Sequence, residues 1–291
     1  MRANTRWTPY FFILPAFCIY SFTILVPLIG TIGSSFTKWN GYGSPELVGF
    51  KNYIRALQDS IFLNSFKHVF VYVLATIILE VIIGLVLAGI LTSRKRTDAY
   101  RIALFVPVML PMVIVAVLWR FIFNADFGLL NGALEQIGLP QFQQIWLGDS
   151  RFALAAICIV SGWVYAGFYL AIFYAGLQRL PREVIESAAL DGANQSTIFW
   201  RIKVPMIRRL WEVAVLICIT GGIQGFDLFF VMTNGGPYYS TEVPTTYMVR
   251  MVFRDQEIGY GSALAVLVTS TVLVIGFIYS KLRKKSEQVE Y

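Results

Sequence analysis

The sequence predicts an all-α integral membrane protein with six transmembrane helices and a cytoplasmic loop of two short helices. Three observations lead to this fold class. Of the 291 residues, 57% are hydrophobic and 14% are charged, and the mean hydropathy is +0.64, which is too apolar for the core of a soluble domain to bury. Six apolar stretches are long enough to cross a hydrocarbon layer that takes about 20 helical residues. Most basic residues lie on one side of these stretches.

The six predicted spans form one transmembrane domain that takes residues 1–291. The first span begins after Arg2 and Arg6, as in a signal peptide, but its apolar run exceeds the roughly 7 to 15 residues of a signal-peptide core and no small-residue cleavage pattern follows it. It is therefore expected to be a retained helix. The spans run approximately over residues 10–36, 69–91, 102–123, 152–177, 211–231 and 258–279.

The charge distribution predicts the orientation of the chain. With both termini in the cytoplasm, the inner segments hold 16 of the 24 basic residues and 7 of the 17 acidic ones, a net charge of +9, which leaves −2 for the rest. The positive-inside rule therefore predicts that both termini are cytoplasmic. This distribution also explains the overall charge of +7 without nucleic-acid binding, because the basic residues flank spans instead of forming one stripe.

Two residue types that often carry chemistry are scarce. The three cysteines, Cys18, Cys158 and Cys218, lie inside predicted spans, where cysteine usually packs as a small apolar residue, so no disulfide or metal site is expected. The one histidine, His68, is expected at the outer edge of the second span. Scattered carboxylates and a single histidine do not provide the clustered groups that a polytopic membrane enzyme needs.

Glu80 lies in the middle of the second span, within the sequence LATIILEVIIGL. A charged residue at the centre of a membrane helix costs about 2.5 to 3.5 kcal/mol on insertion scales, so some interaction must compensate for it. Two interpretations stay open. Glu80 either is protonated or bonded to a neighbouring helix inside the bundle, or acts directly on a substrate or proton.

Proline and glycine interrupt several of the spans. Such breaks are tolerated where a neighbouring helix or a water-filled cavity satisfies the freed backbone groups, although ordinary kinking and close packing of helices give the same pattern. Taken together, the breaks favour a cavity between the third, fourth and fifth spans. The residues concerned are Pro15, Pro27, Pro107, Pro111, Gly221, Gly222 and Gly225.

The longest inner connection, residues 178–210, begins with a predicted short helix. Pro181 suits a helix start, because its missing N–H would have no partner there in any case. Gly192 suits a helix stop, since it has no Cβ to oppose a left-handed cap. One face of the helix between them is apolar, and such a face on a polar loop either packs under the bundle or docks into a partner. That face consists of Val184, Ile185, Ala188 and Ala189.

A second short helix is predicted after Gly192. Asn194 or Ser196 can cap its start, and Phe199 and Ile202 then share one side. Pro205 is expected to end this helix, because a proline pushes the residue before it out of the helical region.

The residues of this loop resemble the EAA motif of ABC importer permeases. Ser187 replaces the first of the motif's paired alanines and Val204 replaces the leucine before proline, whereas the other elements stand at the family spacing over twenty residues. The resemblance implies that the loop is a coupling helix seated in a cleft of an ATPase. The implied coupling residues are Glu186, Ala188, Ala189, Asp191, Gly192, Ile202 and Pro205.

Further segments extend the resemblance over almost the whole chain, towards carbohydrate importers of the maltose-transporter type and the first of their two permease types. They include Trp119-Arg-Phe-Ile-Phe123, Gly128-Leu-Leu-Asn131, Trp146-Leu147, Thr233-Asn-Gly-Gly-Pro237 and Gly259-Tyr-Gly-Ser-Ala263.

The resemblance implies an importer in a prokaryotic inner membrane that is built from several chains. Its partners would be a second permease subunit, two ABC ATPase subunits and an extracytoplasmic solute-binding protein. No G-x-x-x-x-G-K-[ST] phosphate loop occurs in the sequence. This chain is therefore expected to be no enzyme and to hold no cofactor, with ATP and Mg²⁺ bound by the partner ATPase.

The resemblance also implies a substrate pathway through the middle spans, where aromatic rings and hydrogen-bonding groups suit a sugar. Several asparagines that bind sugar in the family are glycine or non-amide residues here, so the cargo need not be the same. An importer of a glycerophosphodiester or a polyamine, and a channel, are the alternatives in transport. The implied pathway residues are Met112, Trp163, Tyr165, Gly222, Gln224 and Gly225.

Overall fold

The computed structural model describes residues 8–94 and 97–287 of the chain. Arg2, Arg6, Lys95 and Arg96, four of the basic residues that predict the inner side, lie outside these ranges. The α-helices are α1 (Thr8–Tyr20), α2 (Val26–Ser35), α3 (Lys51–Gln58), α4 (Ser60–Thr76), α5 (Ile83–Thr92), α6 (Asp98–Phe105), α7 (Met112–Ile122), α8 (Leu129–Gln136), α9 (Ala153–Gln178), α10 (Arg182–Leu190), α11 (Gln195–Thr197), α12 (Val204–Met206), α13 (Arg208–Ile223), α14 (Asp227–Met232), α15 (Pro244–Phe253) and α16 (Ile258–Glu287).

Several of these helices are joined by wider or tighter helical turns. Three π-helical segments, Ser21–Leu25, Ile77–Ile82 and Ile198–Lys203, continue the helices on both sides of them, and Val106–Met109 and Pro140–Phe142 are 3₁₀-helical. Strands β1 (Thr37–Lys38) and β2 (Glu46–Leu47) form a two-stranded antiparallel sheet. The prediction of an all-α chain omitted this short hairpin, whose connecting turn contains two glycines with positive φ, Gly41 and Gly43.

The chain divides into two compact units. The first takes the residues up to Leu63 together with Tyr247–Leu273, and the second takes Asn64–Thr246 together with the residues from Val274 onward.

Among the described residues, four helical runs are long and apolar enough to cross a membrane, namely Tyr10–Ser35, Ser60–Thr92, Ala153–Gln178 and Ile258–Lys281. A further candidate is a bent pair of helices, Asp98–Met109 and Met112–Ile122. The fifth predicted span, residues 211–231, is divided between α13 and α14 and does not form one long helix. In the described part of the chain the structure therefore has the predicted helical class, with four to five apolar spans instead of six continuous ones.

The bend in the third predicted span is 99°, and proline chemistry explains it. Leu110 is extended, with ψ 138°, and Pro111 follows it with ψ 131°. Pro111 has no N–H to donate to a helix and its ring disfavours the helical region for Leu110. The chain therefore leaves the helix at Leu110 and starts a new one at Met112.

The second predicted span is longer than expected, because the helix that contains it begins at Ser60 and runs for 33 residues. At about 1.5 Å per residue this run exceeds the thickness of a hydrocarbon layer of about 30 Å. His68 lies within the helix, and its Nδ1 is 2.8 Å from the carbonyl oxygen of Glu242 in the same unit.

The core of the second unit lies between α5, α9 and α13. Leu85 and Ala88 of α5 pack with Leu170 and Phe173 of α9, and Ala214 of α13 belongs to the same cluster. These side chains are nearly inaccessible to solvent. This packing fixes the positions of α5, α9 and α13 relative to one another.

In the first unit, the carboxylate of Asp59 joins three helices. Its Oδ1 accepts hydrogen bonds from the backbone N–H groups of Ile61 (3.0 Å) and Phe62 (3.2 Å), which caps the start of α4. Its Oδ2 accepts from the hydroxyls of Tyr247 and Tyr260, both at 2.7 Å. Burial acts to raise the pKa of Asp59, but these hydrogen bonds outweigh it and hold the pKa below its usual value.

Replacing Asp59 by Asn is expected to destabilise the protein at neutral pH by about 1–3 kcal/mol, because the amide is uncharged and its single oxygen cannot act as acceptor for both the helix cap and the two tyrosine hydroxyls. The folded-state pKa of Asp59 lies below its ordinary 3.8, so this stabilisation is present above that pH and is lost as the pH falls through the folded-state value. Thermal unfolding in detergent measures the difference at several pH values.

The matched control is Asp255→Asn, which neutralises an exposed carboxylate of the same unit. It should change the free energy of unfolding by less than about 0.5 kcal/mol relative to the parent protein. Equal effects of the two substitutions at neutral pH would contradict the structural role of Asp59.

Candidate functional site

A cavity of about 460 Å³ lies inside the second unit. Its walls are α4 with the π segment Ile77–Ile82, the 3₁₀ segment Val106–Met109 with the start of α7, α9, and the region where α13 gives way to α14. The cavity therefore lies between the predicted third, fourth and fifth spans, with the second span as an additional wall. Five of the six predicted pathway residues line it, namely Met112, Tyr165, Gly222, Gln224 and Gly225.

Trp163, the sixth predicted pathway residue, is not part of the cavity lining. Its indole packs edge-to-face against Trp119, with ring centroids 5.6 Å apart. Residues 163 and 165 are two positions apart on α9, which places their side chains roughly 200° apart around the helix axis. Tyr165 faces the cavity, and Trp163 consequently points elsewhere.

Glu80 belongs to the wall of the cavity and is 5% exposed. Its Oε1 accepts a hydrogen bond of 2.6 Å from the hydroxyl of Ser161 on α9, and Ser161 in turn lies 2.7 Å from the hydroxyl of Tyr72. The Glu80 Oε2 faces the thiol of Cys218 at 3.9 Å, and that thiol is 3.5 Å from Thr76 Oγ1. The open question about Glu80 is thus answered in part, because it bonds a neighbouring helix and also lines the cavity.

Sequence reasoning missed the contribution of the second span to this cavity. Tyr72, Thr76 and Glu80 all line it, and they follow one another at intervals of four residues. Side chains four positions apart lie on one face of a helix. A polar stripe of this kind in an otherwise apolar span could therefore have indicated that the second span lines the cavity.

The opposite wall depends on a break in the helical backbone. Helix α13 ends at Ile223 and α14 begins at Asp227, with Gly225 between them. The hydroxyl of Thr245 donates a hydrogen bond of 2.5 Å to the carbonyl oxygen of Gly225, which satisfies one backbone group freed by the break. A Cβ at Gly222 would lie 2.6 Å from Val73 Cγ2, so only a glycine lets α13 approach α4 this closely.

The lining combines aromatic rings with a few hydrogen-bonding groups. Tyr165, Phe168 and Phe226 supply rings, while Gln224 and Asp227 are exposed to the cavity. Rings of this kind cover the apolar faces of sugar rings, and the polar groups fix the orientation of a ligand.

The loop over residues 178–210 has the two short helices that its sequence predicts. Helix α10 follows Pro181 and ends before Gly192, whose φ is +85°. The N–H of Gly192 donates to the Ala189 carbonyl (3.1 Å) and that of Ala193 to the Ala188 carbonyl (3.0 Å). These two bonds are the Schellman pattern, which needs a left-handed residue at the glycine position.

The second short helix runs through α11, the π segment Ile198–Lys203 and α12. The side chain of Asn194 caps it by accepting a hydrogen bond of 2.8 Å from the Thr197 N–H. The expectation that Val204 leaves the helix is wrong, because Val204 is helical (φ −62°, ψ −46°) and the helix ends at Met206, with Ile207 as its C-cap. The N–H of Val204 bonds to the carbonyl of Phe199, five residues back, and this wider turn makes room for the ring of Pro205.

The two short helices differ in how they are held. In the second one, Ile198 is 1% exposed and Phe199 lies so close to Gly89 of α5 that a Cβ there would overlap its ring. Helix α10 has no buried residue, and Leu190 at its end is 89% exposed. The second helix is therefore attached to the bundle, whereas α10 presents its surface outward.

The predicted coupling residues fall into two groups in this arrangement. Glu186, Ala189, Asp191, Gly192 and Pro205 are exposed, and Ala188 and Ile202 are partly buried.

Comparison with known proteins identifies relatives along the full chain. The sequence model of the family described as "Binding-protein-dependent transport system inner membrane component" matches residues 80–287. The "Probable ABC transporter permease protein YurN" of Bacillus subtilis is 32% identical over 99% of this chain and 100% of its own length. The "Diacetylchitobiose uptake system permease protein NgcF" of Streptomyces coelicolor is 32% identical over 88% of this chain and 76% of its own.

A solved structure has the same fold. It is a bacterial alginate ABC transporter in complex with an alginate pentasaccharide-bound periplasmic protein. One of its chains superposes with a TM-score of 0.84 and 21% identity over 96% of this chain and 94% of that chain.

The attachment of the second short helix can be tested at Gly89. Gly89→Ala is expected to push Phe199 away and to destabilise the protein by about 1–3 kcal/mol, because the site has no room for a methyl group. Hydrogen exchange should rise in residues 195–206, and combining Gly89→Ala with Phe199→Leu should reverse the rise. Gly276→Ala, where nothing lies within 4 Å of the added Cβ, is the control. Unchanged exchange in residues 195–206 would contradict the contact.

Proposed function

We propose that this chain, which belongs to the binding-protein-dependent transport system inner membrane component family, is the permease subunit of an ATP-driven importer that moves a sugar or oligosaccharide into the cytoplasm by alternating access. The observation that carries this proposal is the construction of the loop over residues 178–210. One of its helices, α10, has no buried residue, and the other is fixed to the bundle that encloses the cavity.

The exposed helix suits an ATPase that grips it from outside. Ala188 and Ala189 have small side chains that allow a partner to approach closely, while Glu186 and Asp191 offer negative charge to a basic partner. Leu190, at 89% exposure, supplies an apolar contact that water would otherwise cover. A surface with small, apolar and acidic groups side by side is suited to a protein cleft.

Movement of α10 has a short physical route to the cavity. Gly192 joins α10 to the second helix, whose Phe199 contacts α5. Ile207, at the end of that helix, is 4% exposed and belongs to the core cluster of α5, α9 and α13. Since α9 and α13 also supply walls of the cavity, closure of an ATPase pair on α10 would tilt the helices that open and close it.

The lining of the cavity and the relatives support a carbohydrate as cargo. Aromatic rings beside a few polar groups are the features of a sugar site. One relative bears the name of a diacetylchitobiose uptake permease, and the structural neighbour is a transporter of alginate. The cargo would pass along the part of the cavity wall formed by Met112, Tyr165, Gly222, Gln224 and Gly225. Trp163 lies outside the cavity and would belong to the pathway beyond it.

The complete importer would contain other chains. An extracytoplasmic solute-binding protein would deliver the cargo, as the periplasmic protein in the neighbouring complex suggests. A second permease and two ABC ATPase subunits would complete it, with ATP and Mg²⁺ held by the ATPases. In this arrangement both termini are cytoplasmic, and the chain crosses the membrane six times, with α13 and α14 together forming the fifth crossing.

The test replaces Gly192 by Val in the assembled importer. A β-branched residue is strained at a φ of +85°, so the angle between α10 and the second helix should change and ATP-driven uptake should fall at least tenfold. Affinity of the binding protein for its solute should be unchanged, because that protein is a separate chain. Uptake into proteoliposomes and the rate of ATP hydrolysis are the measurements.

Gly138→Val is the matched control. Gly138 follows α8 with φ +78° and closes the same pair of cap hydrogen bonds, from Gly138 N to Glu135 O and from Leu139 N to Leu134 O. Both substitutions therefore impose the same backbone strain, but only the one at residue 192 lies in the loop proposed to bind the ATPase. Normal uptake by an assembled Gly192→Val importer, or equal losses in both variants, would refute the coupling role.

A further inference from the structure

The charges that line the cavity are of one sign. Glu80 and Asp227 are both acidic, and within residues 8–94 and 97–287 no arginine, lysine or histidine contributes to the lining. The two acidic side chains line one cavity and therefore act on the same space. Apolar surroundings weaken the screening of these charges by water.

The Glu80 carboxylate also has unused capacity to accept hydrogen bonds. Its Oε1 takes one good hydrogen bond, from Ser161 at 2.6 Å, whereas the Oε2 faces only the thiol of Cys218 at 3.9 Å, and a thiol is a weak donor. Glu80 is 95% buried by the rest of the chain yet borders the cavity. A buried carboxylate oxygen of this kind is stabilised by any donor that the cavity brings to it.

We propose that Glu80 and Asp227 make this cavity selective against anionic solutes, with both acidic groups accepting hydrogen bonds from the hydroxyl groups of a polyhydroxyl solute. This inference rests on the proposed transport function and narrows its cargo. Sugar hydroxyls are donors that a carboxylate, which only accepts, can bind in pairs. A solute with its own carboxylate, sulfonate or phosphate is repelled by the ionised acidic groups of the lining.

The aromatic groups and the amide favour a saccharide among the solutes without an anionic group. The rings of Phe168 and Phe226 suit the apolar faces of a sugar ring, while the acidic groups and the amide of Gln224 suit its hydroxyl edges. The cargo is therefore inferred to be a saccharide that carries no anionic group.

The experiment measures direct binding to the assembled importer in lipid nanodiscs, by equilibrium dialysis at millimolar concentrations and without the solute-binding protein. The probes are neutral disaccharides, each accompanied by the derivative with a carboxylate at C6. At least one neutral disaccharide is expected to bind at least tenfold more tightly than its acid. Equal or tighter binding of the acid, or no binding of any neutral probe, overturns the inference.

Two substitutions test the residues themselves. Glu80→Gln keeps the shape and one acceptor oxygen, and should weaken binding of the neutral disaccharide about tenfold and reduce its preference over the acid. Asp227→Asn should also reduce that preference, and because Asp227 is exposed this variant is expected to fold even if the Glu80 variant does not. Glu135→Gln removes an exposed carboxylate of α8 outside the cavity. It should change neither the affinity for the neutral disaccharide nor the preference over the acid.

If Asp227→Asn prefers the neutral disaccharide over its acid as strongly as the parent protein does, Asp227 does not set the selectivity and the inference is overturned. Failure of this inference can be distinguished from failure of the proposed function. ATP-driven uptake of an anionic solute with normal coupling would refute only the charge selectivity, whereas absence of ATP-driven uptake for every solute would refute the importer.

Discussion

Close packing around α9 is the constraint on which the rest of the second unit depends. Small residues on this helix let its neighbours approach, since Leu79 packs against Gly162, the carbonyl of Leu104 lies against Gly167, and Leu210 lies against Gly176. In a membrane there is little hydrophobic force between helices, so this close approach to the backbone of α9 supplies much of the attraction. A single helix thereby sets the positions of the second span, the bent third span and the start of α13 at three different heights.

The cavity follows from this packing together with the broken helices around it. Where Leu110 and Gly225 leave the helical path, the backbone loses internal hydrogen bonds, and a bilayer offers no water to replace them. Thr245 compensates at the second break, by a hydrogen bond to Gly225. Glu80, Ser161 and Gln224 line the same cavity, which borders the break at Gly225.

Local sequence determines much of the fold and of the loop. The apolar runs, the helix start after Pro181 and the stop at Gly192 depend on residues next to one another, and all of these follow from the sequence. The bend at Pro111 was signalled by its proline, although its size of 99° was not. Five of the residues that the family resemblance predicts as a substrate pathway line the cavity.

Other features depend on contacts between distant parts of the chain. Ser161 and Glu80 are 81 residues apart, so their hydrogen bond could not be read from either neighbourhood. Val204 stays helical before Pro205 because the π turn upstream is held by Ile198 and Phe199 against the bundle, and this tertiary contact overrides the local preference of a residue before proline.

The contrast between the two short helices of the loop has a mechanical consequence. If both were fixed to the bundle, a partner would find little surface to hold, and if both were free, a pull on α10 would be lost in local motion. The Schellman bonds at Ala188 and Ala189 and the anchored ring of Phe199 instead join an exposed helix to a fixed one through a single left-handed residue. In the proposed function, force applied to α10 would pass through Gly192 to the core of α5, α9 and α13, two of which also supply walls of the cavity.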